Sequence, residues 1–458
     1  MVGEYRMSIL SGILAALCFP KFNLFFLAWV ALVPLFLEIN KKNKPKEAAF
    51  SGFLFGLFFF GQNLLWINTL NEFVPGFTTL GYIFLVIYES AFTAAACYLI
   101  KYFLINLPAI NILSIPTAWI FFEWLRTLGP FGISAGDLGY TQATVIPLIQ
   151  IASFATVFGI SFLIVMANAA LADPKRSFFK ILSVLAIIIF VYYWGLSQMP
   201  KDAKPASNSL TFSLIQGNIP QKKKLDAQYN NEIFNIHEEL TRSILSLKPD
   251  IIIWPESFIL AYLLEEPAFL QRVKKLAEDS KAYILIGTPY EDGSGKAYNS
   301  LVAFSPKGEI IGRYDKQNLV PFGEYLPLRF LFYPILKSTD FFSADFDFGP
   351  KEARLIEING IKIGAAICFE STFVDPLKDR VKKGANLLLT VTNDAWFGSS
   401  SAAYEHLNCG ILRAVENRKY FIQTGNTGFS AIIEPYGRIL AKTNLNERRA
   451  LTFKIPLP

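Results

Sequence analysis

The distribution of charge along the chain limits what it can fold into more than any other feature. Between Ala48 and Asp173 the only charged side chains are Glu72, Glu89, Lys101, Glu123, Arg126, Asp137 and Asp173, and beyond Lys201 charges return at ordinary density. A stretch that long and that poor in charge cannot supply the solvated surface of a water-soluble globule, so the first part reads as membrane-embedded and the second as a soluble domain. A length of 458 residues, too great for one ordinary domain, and a 52% hydrophobic share agree with that division.

The apolar segments are Met7–Phe19, Leu24–Leu37, Ala48–Ile67, Leu80–Leu104, Ala109–Leu125, Val145–Ala170 and Phe179–Trp194. Each is taken as a spanning helix, which predicts a seven-helix transmembrane bundle over residues 1–200. The first two are short against the roughly 20 residues a span needs. Pro20-Lys21 separates them, and a tight hairpin is preferred to one long broken helix. Arg6 and the run after it are read as an uncleaved first helix. No small-x-small site closes the run as a signal peptide would, and bulky Leu17 precedes Cys18 where a lipid-attachment site favours a small residue.

Lys and Arg in the connections set the orientation. One side collects Arg6, Lys41, Lys42, Lys44, Lys46, Lys101, Lys175, Arg176 and Lys180, and the other only Lys21 and Arg126. The basic side belongs in the cytoplasm, so the last helix delivers the C-terminal domain to the outside. This bias also accounts for much of the net charge of +6, which calls for no nucleic-acid partner. The four cysteines (Cys18, Cys97, Cys368, Cys409) show neither metal-ligand spacing nor a disulfide framework, and two histidines, His237 and His406, make a His-rich metal site improbable. Glu89 stands inside an apolar span, where a carboxylate is costly and commonly functional.

Residues 201–209 form a polar, proline-containing linker. Beyond it, apolar β-branched runs at Leu210–Gln216, Ile251–Trp254, Tyr283–Ile286, Leu301–Phe304, Ile361–Ile367 and Leu387–Val391 alternate with helical patterns at Ala227–Leu247, Ala268–Lys281 and Ala402–Glu416. Such alternation predicts an α/β domain with a largely buried sheet over residues 210–458.

Three polar residues stand at strand ends or in adjoining turns. Glu256 follows Ile251-Ile252-Ile253-Trp254-Pro255, Lys316 precedes Pro321-Phe322-Gly323-Glu324, and Cys368 closes Ile363-Gly364-Ala365-Ala366-Ile367. Taken singly, a cysteine after an apolar strand is most often a small core residue, and a lone Lys or Glu a solvated charge. Cys409 keeps that plain reading.

Taken together, Trp254-Pro255-Glu256-Ser257, Lys316 with Val320-Pro321-Phe322-Gly323-Glu324, and Ala366-Ile367-Cys368-Phe369-Glu370 resemble the Glu–Lys–Cys set of the nitrilase superfamily. Thr392-Asn393-Asp394-Ala395-Trp396-Phe397-Gly398 and Arg413-Ala414-Val415-Glu416-Asn417 add to the likeness. Behind apolar spans, it narrows to the apolipoprotein N-acyltransferase family and covers essentially the whole chain.

The resemblance implies an α-β-β-α sandwich of nitrilase (carbon–nitrogen hydrolase) type. It implies Cys368 as nucleophile, Glu256 as general base and Lys316 as oxyanion donor together with the main-chain N–H of Phe369, with Glu324 and Glu370 supporting the lysine and lining the pocket. It further implies that an acyl chain passes from a phospholipid, through a Cys thioester, to the α-amino group of the N-terminal diacylglyceryl-cysteine of an apolipoprotein, the last step of lipoprotein maturation. The setting would be the bacterial cytoplasmic (inner) membrane, the catalytic domain facing the periplasm and the protein a monomer, with no metal, organic cofactor or nucleic acid involved. The rival expectation, a membrane-anchored amidase or nitrilase-type hydrolase, shares the triad but leaves the spans without a purpose.

The sequence also departs from the family. Familiar members end on a further membrane helix, and none precedes Pro458; a tryptophan common after the Pro-Gln turn is Leu225; and Phe369 replaces a tyrosine.

Overall fold

In the computed structural model, which describes residues 4–107, 110–173, 177–200, 208–336 and 345–457, helix Pro45–Asn63 meets helix Phe77–Asn106 at Gly52 and Gly56. A β-carbon on Gly52 would lie 2.5 Å from the Thr93 carbonyl oxygen and 2.7 Å from Cys97 Sγ, and one on Gly56 would lie 2.4 Å from Thr93 Oγ1. With no side chain on that face, Thr93 Oγ1 donates to the Gly52 carbonyl at 3.0 Å. This small-xxx-small contact is how helices associate where apolar burial gives them no drive to pair. Lys175, Arg176, Pro458 and residues 201–207 of the expected linker lie outside the described residues.

The chain divides into two units, residues 1–200 with 400–416 and residues 201–399 with 417–458. Among the described residues of the first, three helices are long and apolar enough to cross a bilayer: Phe77–Asn106, Ala152–Leu171 and Phe178–Gln198. A fourth span results if Pro45–Asn63 is joined to the turn Leu65–Glu72, which continues it at a 46° bend. The other expected spans are shorter than their apolar runs suggested. Arg6–Leu17 has 12 residues and Asn111–Leu125 has 15, about 18 and 22 Å of helix against a hydrocarbon core of about 30 Å. Leu24–Leu37 is not one helix but a 3-10 turn, Phe25–Trp29, followed by helix Val33–Lys41. The run Val145–Ala170 is broken between Ile146–Ile149 and Ala152–Leu171, and Thr156 leaves helical geometry at φ 56°.

These breaks persist because their backbone groups find partners. Asn168 accepts from Leu32 N at 2.8 Å and donates to the carbonyls of Ala28 and Ile164, each at 2.8 Å. After the Thr156 kink, Val157 N donates to Glu416 Oε1 at 2.9 Å. Glu416 lies on helix Ala402–Asn417, which also joins this unit through Arg413 Nη2, 3.0 Å from Tyr140 Oη. Glu89 is buried and ion-paired: Arg126 Nη1 lies 3.0 Å from Glu89 Oε2 and the same guanidinium bonds Asp137 and the Ala135 carbonyl.

The second unit is built on two six-stranded sheets. One contains β1 (Asn208–Gln216), β2 (Ile251–Trp254), β3 (Tyr283–Glu291), β4 (Ala297–Phe304), β5 (Ile310–Asp315) and β12 (Arg449–Leu457), in the order β12-β1-β2-β3-β4-β5. The other contains β6 (Ile356–Ile358), β7 (Ile361–Ile367), β8 (Leu387–Thr392), β9 (Tyr420–Gly425), β10 (Ala431–Ile433) and β11 (Ile439–Lys442), in reverse numerical order across the sheet. Strands β1, β2 and β3 run parallel, as do β7, β8 and β9. Parallel centres of this kind need both faces covered, which explains their continuous apolar runs. Phe212, Leu214, Ile251 and Ile253 from one sheet pack against Ile363, Ile367, Leu389 and Val391 from the other. The outer face of the first sheet is covered by helices Asn230–Ser243 and Pro267–Ser280, through Phe234, Val273 and Leu276.

Candidate active site

Glu256, Lys316 and Cys368 leave the ends of β2, β5 and β7 in the second unit. Strand ends are where a rigid sheet hands over to a turn free to aim a side chain. Cys368 adopts φ +50° and opens the short 3-10 turn Cys368–Thr372. A non-glycine residue in the left-handed region is strained by about 1–2 kcal/mol, a strain often found at reactive positions. Ser257, next to Glu256, is strained in the same sense at φ +40°.

The Lys316 ammonium is almost wholly buried, 2.9 Å from Glu324 Oε1 and 3.4 Å from Glu256 Oε1. Burial alone would pull its pKa down, but Glu324 and Glu256 reverse that and raise it above the ordinary lysine value, so the side chain is a fixed cation. Asn299 Nδ2 ties the two carboxylates together, donating to Glu256 Oε1 at 2.8 Å and to Glu324 Oε1 at 2.7 Å. Glu324 Oε2 accepts from Val320 N at 2.7 Å, closing the Pro-Phe-Gly-Glu turn on itself.

The Cys368 thiol is pushed well above its usual pKa by burial first and the Glu256 charge second, against the pull of Lys316; Asp394 adds to the rise, and a hydrogen bond with Thr392 opposes it. At neutral pH the group therefore rests as a thiol and needs a base to become a nucleophile. A carboxylate beside it, with a fixed ammonium and main-chain N–H groups at hand, is the equipment for taking that proton and stabilising an oxyanion.

Glu370 is fully buried but does not bond Lys316. It accepts from Tyr314 Oη at 2.9 Å, from Gln317 N at 2.7 Å, from Asn318 N at 2.9 Å and from Ile367 N at 2.8 Å. It thus pins the chain just after Lys316 to the chain just before Cys368, which differs from the pocket-lining role expected of it. Arg380 Nη2 completes the network at 2.7 Å from Tyr314 Oη. Phe369 packs edge-to-face on Phe373 with ring centroids 4.8 Å apart.

Four residues were not anticipated: Asn299, Tyr314, Arg380 and Lys224, whose Nζ donates to the Glu256 carbonyl at 3.2 Å. A buried Asn within the apolar strand Ala297–Phe304 is a usable sequence signal. Lys224 has none, because the run Lys222-Lys223-Lys224 reads as solvated charge. His406 and Cys409 lie on helix Ala402–Asn417, in the first unit.

A double sheet sandwich with Glu, Lys and Cys at its strand ends defines a carbon–nitrogen hydrolase-type domain, and the carbon-nitrogen hydrolase family matches residues 212–458. Residues 11–170 match the apolipoprotein N-acyltransferase N-terminal domain. An apolipoprotein N-acyltransferase of Geobacter metallireducens is 36% identical over 99% of this chain and 89% of its own length. One of Methylococcus capsulatus is 32% identical over 97% and 89%. Among solved structures, an amidase from Nesterenkonia sp. is similar at 17% identity with a TM-score of 0.43, covering 56% of this chain and 93% of its own. The chain belongs to the apolipoprotein N-acyltransferase family.

Proposed function

We propose that this protein moves an acyl chain from a phospholipid to the α-amino group of an apolipoprotein's N-terminal diacylglyceryl-cysteine. The observation that carries the proposal is a Glu–Lys–Cys centre in a chain whose other half matches the N-acyltransferase membrane domain, with relatives of that name along nearly its whole length.

In the first half-reaction Glu256 takes the Cys368 proton and the thiolate attacks the ester carbonyl of the phospholipid. A C–S bond forms, and Lys316 with the main-chain N–H of Phe369 holds the negative oxygen. The ester C–O bond then breaks, and Glu256 returns its proton to the leaving oxygen, releasing lysophospholipid. In the second, the lipoprotein amine attacks the thioester and gives up its proton to Glu256. The C–S bond breaks, and the thiolate recovers that proton as the amide departs. Glu324 keeps Lys316 charged and in place throughout.

For the first unit the reading is a multi-pass bundle of seven membrane segments, three or four of full length and the rest short or broken. It sits in the bacterial inner membrane as a monomer with the catalytic domain on the outer side. The nine-to-two distribution of Lys and Arg supports that orientation.

The test incubates purified protein with phospholipid, with and without a diacylated lipopeptide. Lysophospholipid together with triacylated lipopeptide is the expected result. Free fatty acid released at the same rate whether or not lipopeptide is present would make the protein a hydrolase instead.

A further inference from the structure

The most unusual charge in the second unit lies outside the Glu–Lys–Cys set. Lys224, on the short turn Gln221–Lys224 after β1, is 1% exposed. Its Nζ donates to the Glu256 carbonyl oxygen at 3.2 Å, and among the described residues no carboxylate lies within ion-pairing distance of it. A buried ammonium held only by a neutral carbonyl is costly unless a negative charge nearby compensates it. The groups facing it are Glu256 beyond β2, Cys368 beyond β7 and His237 on helix Asn230–Ser243.

The charges of the site explain what such a lysine is for. In the resting state Lys316 is bonded to both Glu256 and Glu324. Moving the thiol proton to Glu256 shifts one negative charge from that carboxylate to Cys368 sulfur, already opposed by Asp394. Lys316 by itself would then face the Glu324 carboxylate and the thiolate together. A second cation, tied to the main chain of the base and without a carboxylate of its own, offsets that excess.

We propose that Lys224 is a positioning residue of the catalytic centre, a second ammonium that holds the Glu256 backbone and favours the Cys368 thiolate over the thiol. Burial draws Lys224's own pKa down to about 7, with Glu256 and Cys368 pulling it back up. Each newly formed thiolate therefore strengthens the cation that stabilises it. The proposal rests on the acyltransferase reading only in taking Cys368 as the nucleophile.

The experiment is the pH profile of Cys368 alkylation by iodoacetamide in the full-length protein in detergent, followed by mass spectrometry of the Cys368 peptide. Lys224→Met should shift the profile to higher pH and slow labelling at neutrality about tenfold or more, the effect of losing one neighbouring opposite charge. Lys224→Arg should restore it. Should the Met variant elute as aggregate, Lys224→Gln, polar but uncharged, is measured in its place against the same expectation. A wild-type profile in a folded Met or Gln variant would overturn the proposal, as would a folded Arg variant as slow as Met. Alkylation needs neither phospholipid nor lipopeptide. Failure of the wild type to accept an acyl chain would therefore count against the acyltransferase reading, while the alkylation result still decides the role of Lys224.

Discussion

Lys316 Nζ lies closer to Glu324, at 2.9 Å, than to Glu256, at 3.4 Å. Glu324 is thus the standing partner of the ammonium, which leaves Glu256 freer to exchange a proton with Cys368. Replacing the lysine would leave two carboxylates sharing Asn299, and like charges that close hold a proton between them. Lys316→Met should therefore remain folded while losing both its oxyanion donor and an ionised base. Lysophospholipid release should fall by about 10²–10³, the usual effect of losing one oxyanion donor. Near-normal turnover would make this lysine structural.

The acyl-enzyme should accumulate when acceptor is withheld, since two bulky lipids must take turns at one thiol. Mass spectrometry after phospholipid alone should find one acyl chain on the Cys368 peptide, removable by hydroxylamine or lipopeptide and missing in Cys368→Ala. Cys409 should stay unlabelled, because it is buried on helix Ala402–Asn417 in the first unit and is not part of the Glu256–Lys316–Cys368 group. An acyl group on Cys409 would sink the mechanism.

Glu370 supports the site by holding two main-chain segments together. Tyr314→Phe removes the hydroxyl that donates to Glu370 and accepts from Arg380 Nη2 and should cost about 1.5–3 kcal/mol for each of these bonds, with the ring still filling the core between the sheets. Glu370→Ala strands the N–H groups of Gln317, Asn318 and Ile367 as well and should cost more, with activity lost alongside. Thermal melting of the two variants should rank them in that order; equal melting temperatures would show the network to be idle.

The buried imidazole of His237 titrates at about 4, chiefly through burial, against an ordinary value of 6.5. The unfolded chain therefore binds the extra proton first as pH falls. Stability from this residue is complete above about pH 6.5 and is lost as pH drops toward 4, on the order of 3 kcal/mol in all. His237→Phe, still packed against Trp254 and Phe258, should flatten that part of the melting-temperature profile. An unchanged slope would assign the acid sensitivity elsewhere.

Glu89 should matter through its partner. Glu89→Ala leaves Arg126 paired with Asp137 but removes one of its charge-assisted hydrogen bonds, a loss worth about 1.5–3 kcal/mol. Glu89→Gln, which keeps an acceptor for Arg126, should fall between the variant and the wild type in thermal aggregation. Full stability and activity of the Ala variant would end the case for this residue.

What could be read from the sequence was whatever rests on local pattern. Ile251–Trp254, Ile361–Ile367 and Leu387–Thr392 are near-continuous apolar runs because parallel strands are covered on both faces, and each announces itself. The Glu256 and Cys368 motifs follow such runs, whereas Lys316 follows the edge strand Ile310–Asp315 and stands out through its Val-Pro-Phe-Gly-Glu sequel. The edge strand Ile439–Lys442 leaves no such trace, since none of its four residues is buried, and the interior strand Tyr420–Gly425 carries buried Gln423 and Thr424 amid its apolar positions.

The sequence by itself determined the charge-poor half, the alternating α/β half and the three motifs around Glu256, Lys316 and Cys368, since hydrophobic period and residue type are properties of neighbours in the chain. Only the tertiary structure decided where helices end, because Asn168 and Glu416 supply partners for broken backbone from far along the sequence. In the same way it distinguished Lys224 from Lys222 and Lys223, since whether an ammonium is solvated or buried depends on what the fold brings around it.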